Sequence, residues 1–166
     1  MKPIEGYNKL RGGYYTPEKI SEFIADWAIR DPSDAVLEPS CGDGSFLSAI
    51  TSRFQKLGAT PDEIKRNIVG VELDEIEAEK SARYGTTVIC EDFFTYYNEF
   101  IDDKAQFDVI AGNPPFIRYQ NFTEKYRKIA FALMNEHGFH PNRLTNIWLP
   151  FLLLSCKALK PGGRVG

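Results

Sequence analysis

The stretch whose residue types and spacing could do chemistry is Asn113-Pro114-Pro115-Phe116, which follows directly on the apolar run Phe107-Asp108-Val109-Ile110-Ala111-Gly112. Two consecutive prolines cannot continue a central strand, because each lacks a backbone donor and fixes its own φ. The residue ahead of a proline is pushed towards extended backbone as well. The expected product is a stiff, exposed turn at the carboxyl end of a buried strand, which is where open α/β sheets place their ligands. There Asn113 offers an amide oxygen, Pro114 a carbonyl without an N–H on the same residue, and Phe116 a flat aromatic face. Two acceptors and one stacking plate suit a planar amine. The plain alternative is a turn that only ends a strand, since Asn and Pro are ordinary turn residues.

The elements needed to position that turn can be read upstream of it. Thr16 reads as a helix cap with Pro17 at the first helical position. Ile20, Phe23, Ile24, Trp27 and Ala28 then recur at helical spacing, which predicts a buried face on a helix stopped by Asp31-Pro32. Ala35 to Glu38 is a short buried strand, broken by Pro39-Ser40-Cys41-Gly42-Asp43-Gly44. A helix follows from about Ser45, with Phe46, Leu47, Ile50, Phe54 and Leu57 in phase. Strand, glycine-bearing turn and helix make the first half of a βαβ unit. Gly42 and Gly44 would let a ligand approach the backbone, with the helix amino terminus just beyond. The dinucleotide fingerprint G-x-G-x-x-G is not met, and a tight connection with no ligand stays open.

Asn67 to Glu72 reads as a second buried strand ending in a carboxylate, followed by an amphipathic helix from about Asp74 to Tyr84. An acidic residue at that place commonly holds a ribose through its hydroxyls; a helix-capping or solvated glutamate is the rival. Thr87 to Cys90 is a third strand, ended by Glu91-Asp92-Phe93-Phe94. Asp92 could accept from a ligand's amino group with Phe93 against its ring, or cap a helix with Phe93 and Phe94 in the core. After the fourth strand and its turn comes the aromatic and amide-rich loop Ile117 to Phe122. Thr123 then caps a helix carrying Tyr126, Ile129, Ala130, Leu133 and Met134 in phase. Asn146 to Leu159 predicts an apolar helix kinked near Pro150, stopped by Lys160-Pro161-Gly162-Gly163. Arg164-Val165-Gly166 reads as the opening of a fifth strand, where the sequence is expected to be cut off.

The 166 residues suit one domain, and 43% hydrophobic with 26% charged residues suits a soluble globular one. A net charge of −3 gives no overall electrostatic footprint for a polyanion, so any nucleic acid must be held by a local patch or another segment. Cys41, Cys90 and Cys156 sit at no metal-like spacing and fit a reducing, cytoplasmic setting. His137 and His140 lack the cysteines or carboxylates that would complete a metal set. The amino terminus has no signal-peptide run, and Trp148 to Leu154 is too short to span a bilayer.

Alternating strands and helices give an α/β, doubly wound, mainly parallel sheet, and every candidate ligand group follows a strand end. On these residues the sequence resembles the S-adenosylmethionine-dependent methyltransferases, and among them the DNA adenine amino-methyltransferases. Val36-Leu37-Glu38-Pro39-Ser40-Cys41-Gly42-Asp43-Gly44-Ser45-Phe46-Leu47 is similar to their cofactor-binding glycine motif. Asn113-Pro114-Pro115-Phe116 resembles their four-residue catalytic motif. Tyr14-Tyr15-Thr16-Pro17 resembles the segment folding over the methionine end of the cofactor, and the motif order is that of the gamma group. Residues 12 to 166 carry the resemblance.

The resemblance implies a Rossmann-like class I methyltransferase fold, truncated at the start of its fifth strand, with residues 1 to 166 as an incomplete S-adenosylmethionine-binding catalytic domain. It implies that Thr16, Glu38, Pro39, Ser40, Cys41, Gly42 and Gly44 line the cofactor pocket around its amino-acid moiety. Glu72 would bind the ribose hydroxyls, Leu73 would pack on the adenine, Asp92 would accept its amino group, and Phe93 would lie against its ring. Asn113 and the Pro114 carbonyl would grip the target amine while Phe116 stacks on the base; the family often has Tyr at that last position. The implied partner is DNA with a flipped adenine, its sequence chosen by a recognition domain or subunit outside this chain, in restriction-modification or phage defence. Methylation of glutamine amides in release factors, methylation of RNA, and an inactive cofactor-binding subunit are the competing functions. Tyr14-Tyr15-Thr16-Pro17 and the Ile117-to-Phe122 loop argue against the first of these.

Overall fold

Val36 and Leu37 are neighbours in the first strand, yet each enters a different core, as successive side chains of an extended chain must. The computed structural model describes residues 16–102, 104–116 and 122–166. Within them, helix α1 (Glu18–Ala28) leads to strand β1 (Val36–Glu38), helix α2 (Ser45–Lys56), helix α3 (Pro61–Asn67) and strand β2 (Ile68–Glu72). Helix α4 (Glu75–Ser81) runs through a tight turn into strand β3 (Thr87–Cys90), followed by the short helix α5 (Phe93–Tyr96) and a widened turn over Tyr97–Ile101. Strand β4 (Phe107–Ile110), helices α6 (Glu124–Glu136) and α7 (Trp148–Ala158), and strand β5 (Leu159–Val165) complete the order.

The five strands are all parallel, in the order β3-β2-β1-β4-β5. The order reverses between β1 and β4, which pair as Val36 with Val109 and Leu37 with Ile110. A crevice opens beyond the carboxyl ends of the strands at such a reversal. On one face, Ala25, Ile50, Phe54 and Ile64 pack on Val36, Ile68 and Val109. On the other, Phe93, Phe94, Leu133, Phe151 and Leu154 pack on Leu37, Val71 and Ile110. A parallel sheet covered on both faces needs such apolar strands, and each fully buried aliphatic or aromatic side chain contributes about 1.5–3 kcal/mol. The α/β doubly wound expectation is met.

Several local expectations are corrected. Pro17, not Thr16, takes the cap position of α1, with no side-chain cap bond. The helical phase of α1 is right but its buried face is not: Ser21, Ala25 and Ala28 are buried, whereas Ile20, Phe23 and Trp27 are 50%, 72% and 50% exposed. Small side chains let α1 approach the α2 layer closely, and that turns the bulky stripe outward. Helix α3 is an addition to the expected elements, although Thr60-Pro61-Asp62-Glu63 spells its cap: Thr60 accepts from the Glu63 N–H and Glu63 reaches back to the Thr60 N–H. Thr123 precedes α6 without a side-chain cap bond. Pro150 sits in the first turn of α7, where its missing N–H costs nothing, so it starts the helix instead of kinking it. Strand β5 begins at Leu159, before Lys160-Pro161-Gly162-Gly163, not at Arg164. Its register shifts between Leu159, opposite Phe107, and Arg164, opposite Val109, so the Pro-Gly-Gly segment bulges out of the strand.

Candidate functional site

Strand β1 ends at Glu38, and Pro39 to Gly44 turn the chain into α2. Gly42 (φ 53°) and Gly44 (φ 88°) both take the left-handed conformation, which glycine adopts without penalty. Gly44 is also sterically fixed, since a Cβ there would stand 2.5 Å from the Tyr84 ring and 3.0 Å from the Ser81 Cα. The turn is anchored to β2 by the Cys41 N–H, which donates to the Val71 carbonyl at 2.9 Å. Thr16 lies close by, because its carbonyl accepts from the Ser45 hydroxyl at 3.3 Å.

Glu72, at the end of β2, ties the turn to its neighbour. One carboxylate oxygen accepts from the Gly42 N–H and the other from the Asp74 N–H, both at 2.8 Å. Burial raises its pKa, and these backbone donors pull it back. Each oxygen retains a second lone pair, so hydroxyl donors could be added without breaking either bond. Leu73, half exposed, offers an apolar surface beside it.

Two polar groups of the turn have no hydrogen-bond partner among the described residues: both oxygens of Glu38, which is 1% exposed, and the Ser40 hydroxyl. Burial holds the Glu38 carboxyl well above the ordinary carboxylate range. Buried polar groups are normally paired, so this pair is open to a ligand. An ammonium on Glu38 and a carboxylate on Ser40 would satisfy both, which fits the amino-acid end of S-adenosylmethionine. Cys41 does not compete. Its thiol is buried beside the Ser81 hydroxyl at 3.6 Å, and burial, reinforced by the nearby Glu38 carboxyl, pushes its pKa far up.

Asp92 caps α5: one of its oxygens accepts from the Thr95 N–H at 3.0 Å and from the Thr95 hydroxyl at 3.2 Å. The second oxygen is free of both bonds. Burial lifts the Asp92 pKa from 3.8 to about 6, against those Thr95 bonds. The folded form therefore holds the proton more tightly than the unfolded chain. That share of stability is present below pH about 4 and is lost as pH rises through about 6. Asp92→Asn, which keeps an acceptor for Thr95, is thus expected to be more stable than the parent at pH 8 by about 1–3 kcal/mol. Urea unfolding at pH 4 and pH 8 checks it: an advantage that is equal at both values contradicts the assignment.

Phe93 departs from its expected place against a cofactor ring. It is 2% exposed and stacked on Phe151 at 5.0 Å between centroids, so it is a core residue and not an open plate. The reason is local: a helix begins at Phe93 and turns both Phe93 and Phe94 into the sheet. Leu73 is the apolar wall that remains.

Across the reversal, β4 delivers Gly112, Asn113, Pro114 and Pro115 to the same edge as Glu38, and Phe116 follows 56% exposed. The Ala111 N–H donates to the Leu37 carbonyl at 3.1 Å, which fixes the approach of this corner to β1. The structure thus gathers the glycine turn, Glu72, Asp92 and the Asn113 corner at one sheet edge. Tyr14, Tyr15 and residues 117–121 lie outside the described residues. Sequence reading missed Gly112, because a residue without a side chain sends no signal of what lies against it. Among the described residues, no helix is long and apolar enough to cross a membrane.

Known proteins resemble this chain in sequence and in fold. The type II methyltransferase M.HincII of Haemophilus influenzae is 29% identical over 155 residues, 93% of this chain and 26% of that protein. The type II methyltransferase M.AccI of Acinetobacter calcoaceticus is 27% identical over 164 residues, 95% of this chain and 27% of that protein. This chain therefore spans about a quarter of the relatives it matches. Among solved structures, the DrdV–DNA complex superposes with a TM-score of 0.72 at 14% identity, over 98% of this chain and 21% of that one. The M protein of the type I restriction enzyme EcoKI gives 0.65 at 17% identity, over 98% of this chain and 35% of that one. These likenesses bear out the Rossmann-like fold. Residues 4–166 match the family described as N-6 DNA Methylase, and membership brings the expected cofactor, S-adenosylmethionine, with it. With nearly its whole length matched, the chain belongs to the N-6 DNA methylase family.

Proposed function

We propose that the chain is the cofactor-binding and catalytic part of an enzyme that methylates the 6-amino group of adenine in DNA, within restriction-modification or phage defence. The observation that carries this reading is the meeting of the glycine turn and the Asn113 corner on either side of the β1–β4 reversal. S-adenosylmethionine, when bound, supplies an electrophilic methyl group on a sulfonium. Glu72 would take its ribose hydroxyls, Asp92 its adenine amino group, and Glu38 with Ser40 its amino-acid end.

The rest is positioning by this chain. The exocyclic nitrogen of adenine is a poor nucleophile because its lone pair is delocalised into the ring. The Asn113 amide oxygen and the Pro114 carbonyl would each accept one amine hydrogen and favour the pyramidal form, which exposes the lone pair. Displacement then needs alignment and electrostatics, not a covalent enzyme adduct. The adenine must leave the duplex, at a cost of a few kcal/mol. Stacking on the exposed Phe116 offsets about 1–3 kcal/mol of that. Recognition of the DNA sequence is assigned to a segment outside this span or to a partner subunit, in keeping with the net charge of −3.

The test is transfer of labelled methyl from S-adenosylmethionine by the full-length protein to duplex DNA, RNA and glutamine-containing peptide in parallel. The expected result is label in DNA alone, recovered as N6-methyladenine after digestion. Label confined to RNA or peptide, or absent from all three, overturns the proposal.

A further inference from the structure

Gly112 joins β4 to Asn113, and its φ lies outside the left-handed region, so backbone conformation alone would admit any residue. Space does not admit one. A Cβ on Gly112 would collide with Oε1 of Glu38 and stand 2.8 Å from its Cδ and 3.2 Å from its Oε2. The Glu38 carboxyl therefore rests, one oxygen foremost, against the backbone immediately ahead of the Asn113 corner. It is anchored there from β1, one residue beyond the Leu37–Ile110 pair. No described side chain hydrogen-bonds its oxygens, so beside the pull of the Ser40 N–H it is the bare Gly112 backbone that seats it.

We propose that Gly112 is a positioning residue: its bare backbone seats the Glu38 carboxyl, and this contact ties the arrangement of the cofactor turn to the placement of Asn113. The assignment rests on the methyltransferase reading above. It makes the two halves of the site a single unit across the sheet reversal. A ligand that orders Glu38 also orders the backbone that presents Asn113. A shift of about 1 Å in a reacting group can cost about 100-fold in rate, so the contact bears on turnover more than on cofactor affinity.

The test exploits volume. Gly112→Ala adds one carbon where Glu38→Asp removes one, so the double variant conserves the packing that each single variant breaks. In the full-length protein, Gly112→Ala is expected to lower kcat about 100-fold while the cofactor Kd rises less than about 10-fold. Glu38→Asp is expected to lose both cofactor affinity and kcat. The double variant is expected to regain at least tenfold in kcat over either single variant, a coupling that a double-mutant cycle isolates. A kcat for Gly112→Ala equal to the parent, or a double variant whose loss is the product of the two singles, overturns the assignment. If melting curves show that Gly112→Ala does not fold, the comparison becomes Glu38→Asp against the double variant. There a tenfold gain in kcat on adding the Gly112→Ala change supports the contact and no gain refutes it. The parent protein, assayed alongside, separates the two levels: no methyl transfer there defeats the proposed function and this assignment with it. Parent transfer with an additive cycle defeats the assignment alone.

Discussion

Asn113→Ala is expected to abolish methyl transfer while leaving S-adenosylmethionine affinity within a factor of about three. The side chain stands at the end of β4, on the far side of the sheet reversal from Glu72 and Asp92, so none of the bonds described for the cofactor turn passes through it. On the proposed function its work is done on the target amine. Removing one preorganised group of this kind typically costs about 100- to 1000-fold in turnover, roughly 3–4 kcal/mol of barrier. The loss should appear in kcat and not in the KM for cofactor, because the interaction strengthens as the nitrogen becomes pyramidal. Single-turnover transfer with labelled cofactor, beside calorimetric titration of the same preparation, reads both quantities. Turnover within tenfold of the parent would remove Asn113 from the catalytic role.

Glu72→Ala is expected to have the opposite signature, with cofactor affinity falling at least about 100-fold. The carboxylate already holds the Gly42 and Asp74 N–H groups at 2.8 Å, and alanine leaves both without that acceptor. An orphaned buried donor costs about 1–3 kcal/mol, towards the lower end where water can reach it. Loss of hydrogen bonds from ribose hydroxyls to a charged acceptor adds about 1.5–3 kcal/mol. The glycine turn is loosened by the first effect and the ligand loses its partner by the second. Glu72→Gln should fall between, since its amide nitrogen would face one of the two N–H donors. Calorimetric titration with S-adenosylmethionine decides it, and an unchanged Kd for Glu72→Ala would mean that the ribose is held elsewhere.

Much of this architecture is legible residue by residue. The apolar strands Val36–Glu38, Ile68–Glu72 and Phe107–Ile110, each followed by a turn and helical phase, dictate a parallel α/β sheet. The candidate groups follow strand ends, and the topology delivers those ends to one edge. What failed did so because local pattern says nothing of what covers a surface. Ile20, Phe23 and Trp27 have the correct period, but the small residues Ala25 and Ala28 win the interior because close helix approach needs small side chains. Phe93 is ambiguous in the sequence between ligand and core, and the cap at Asp92 resolves it by fixing where α5 begins. The Gly112–Glu38 contact joins positions far apart in sequence through the absence of a side chain, so no spacing rule could reveal it.

The burial of Cys41 sets what a thiol reagent can do to this protein. Cys90 and Cys156 are exposed, whereas Cys41 is buried with its thiol held protonated at neutral pH. Maleimide treatment of the native chain should therefore mark Cys90 and Cys156 and spare Cys41. A fluorophore is best carried on Cys156, in α7, since Cys90 pairs with Glu72 across β2 and β3 and would bring the label to the cofactor edge. A third adduct, readable by mass, would report that the turn itself has opened.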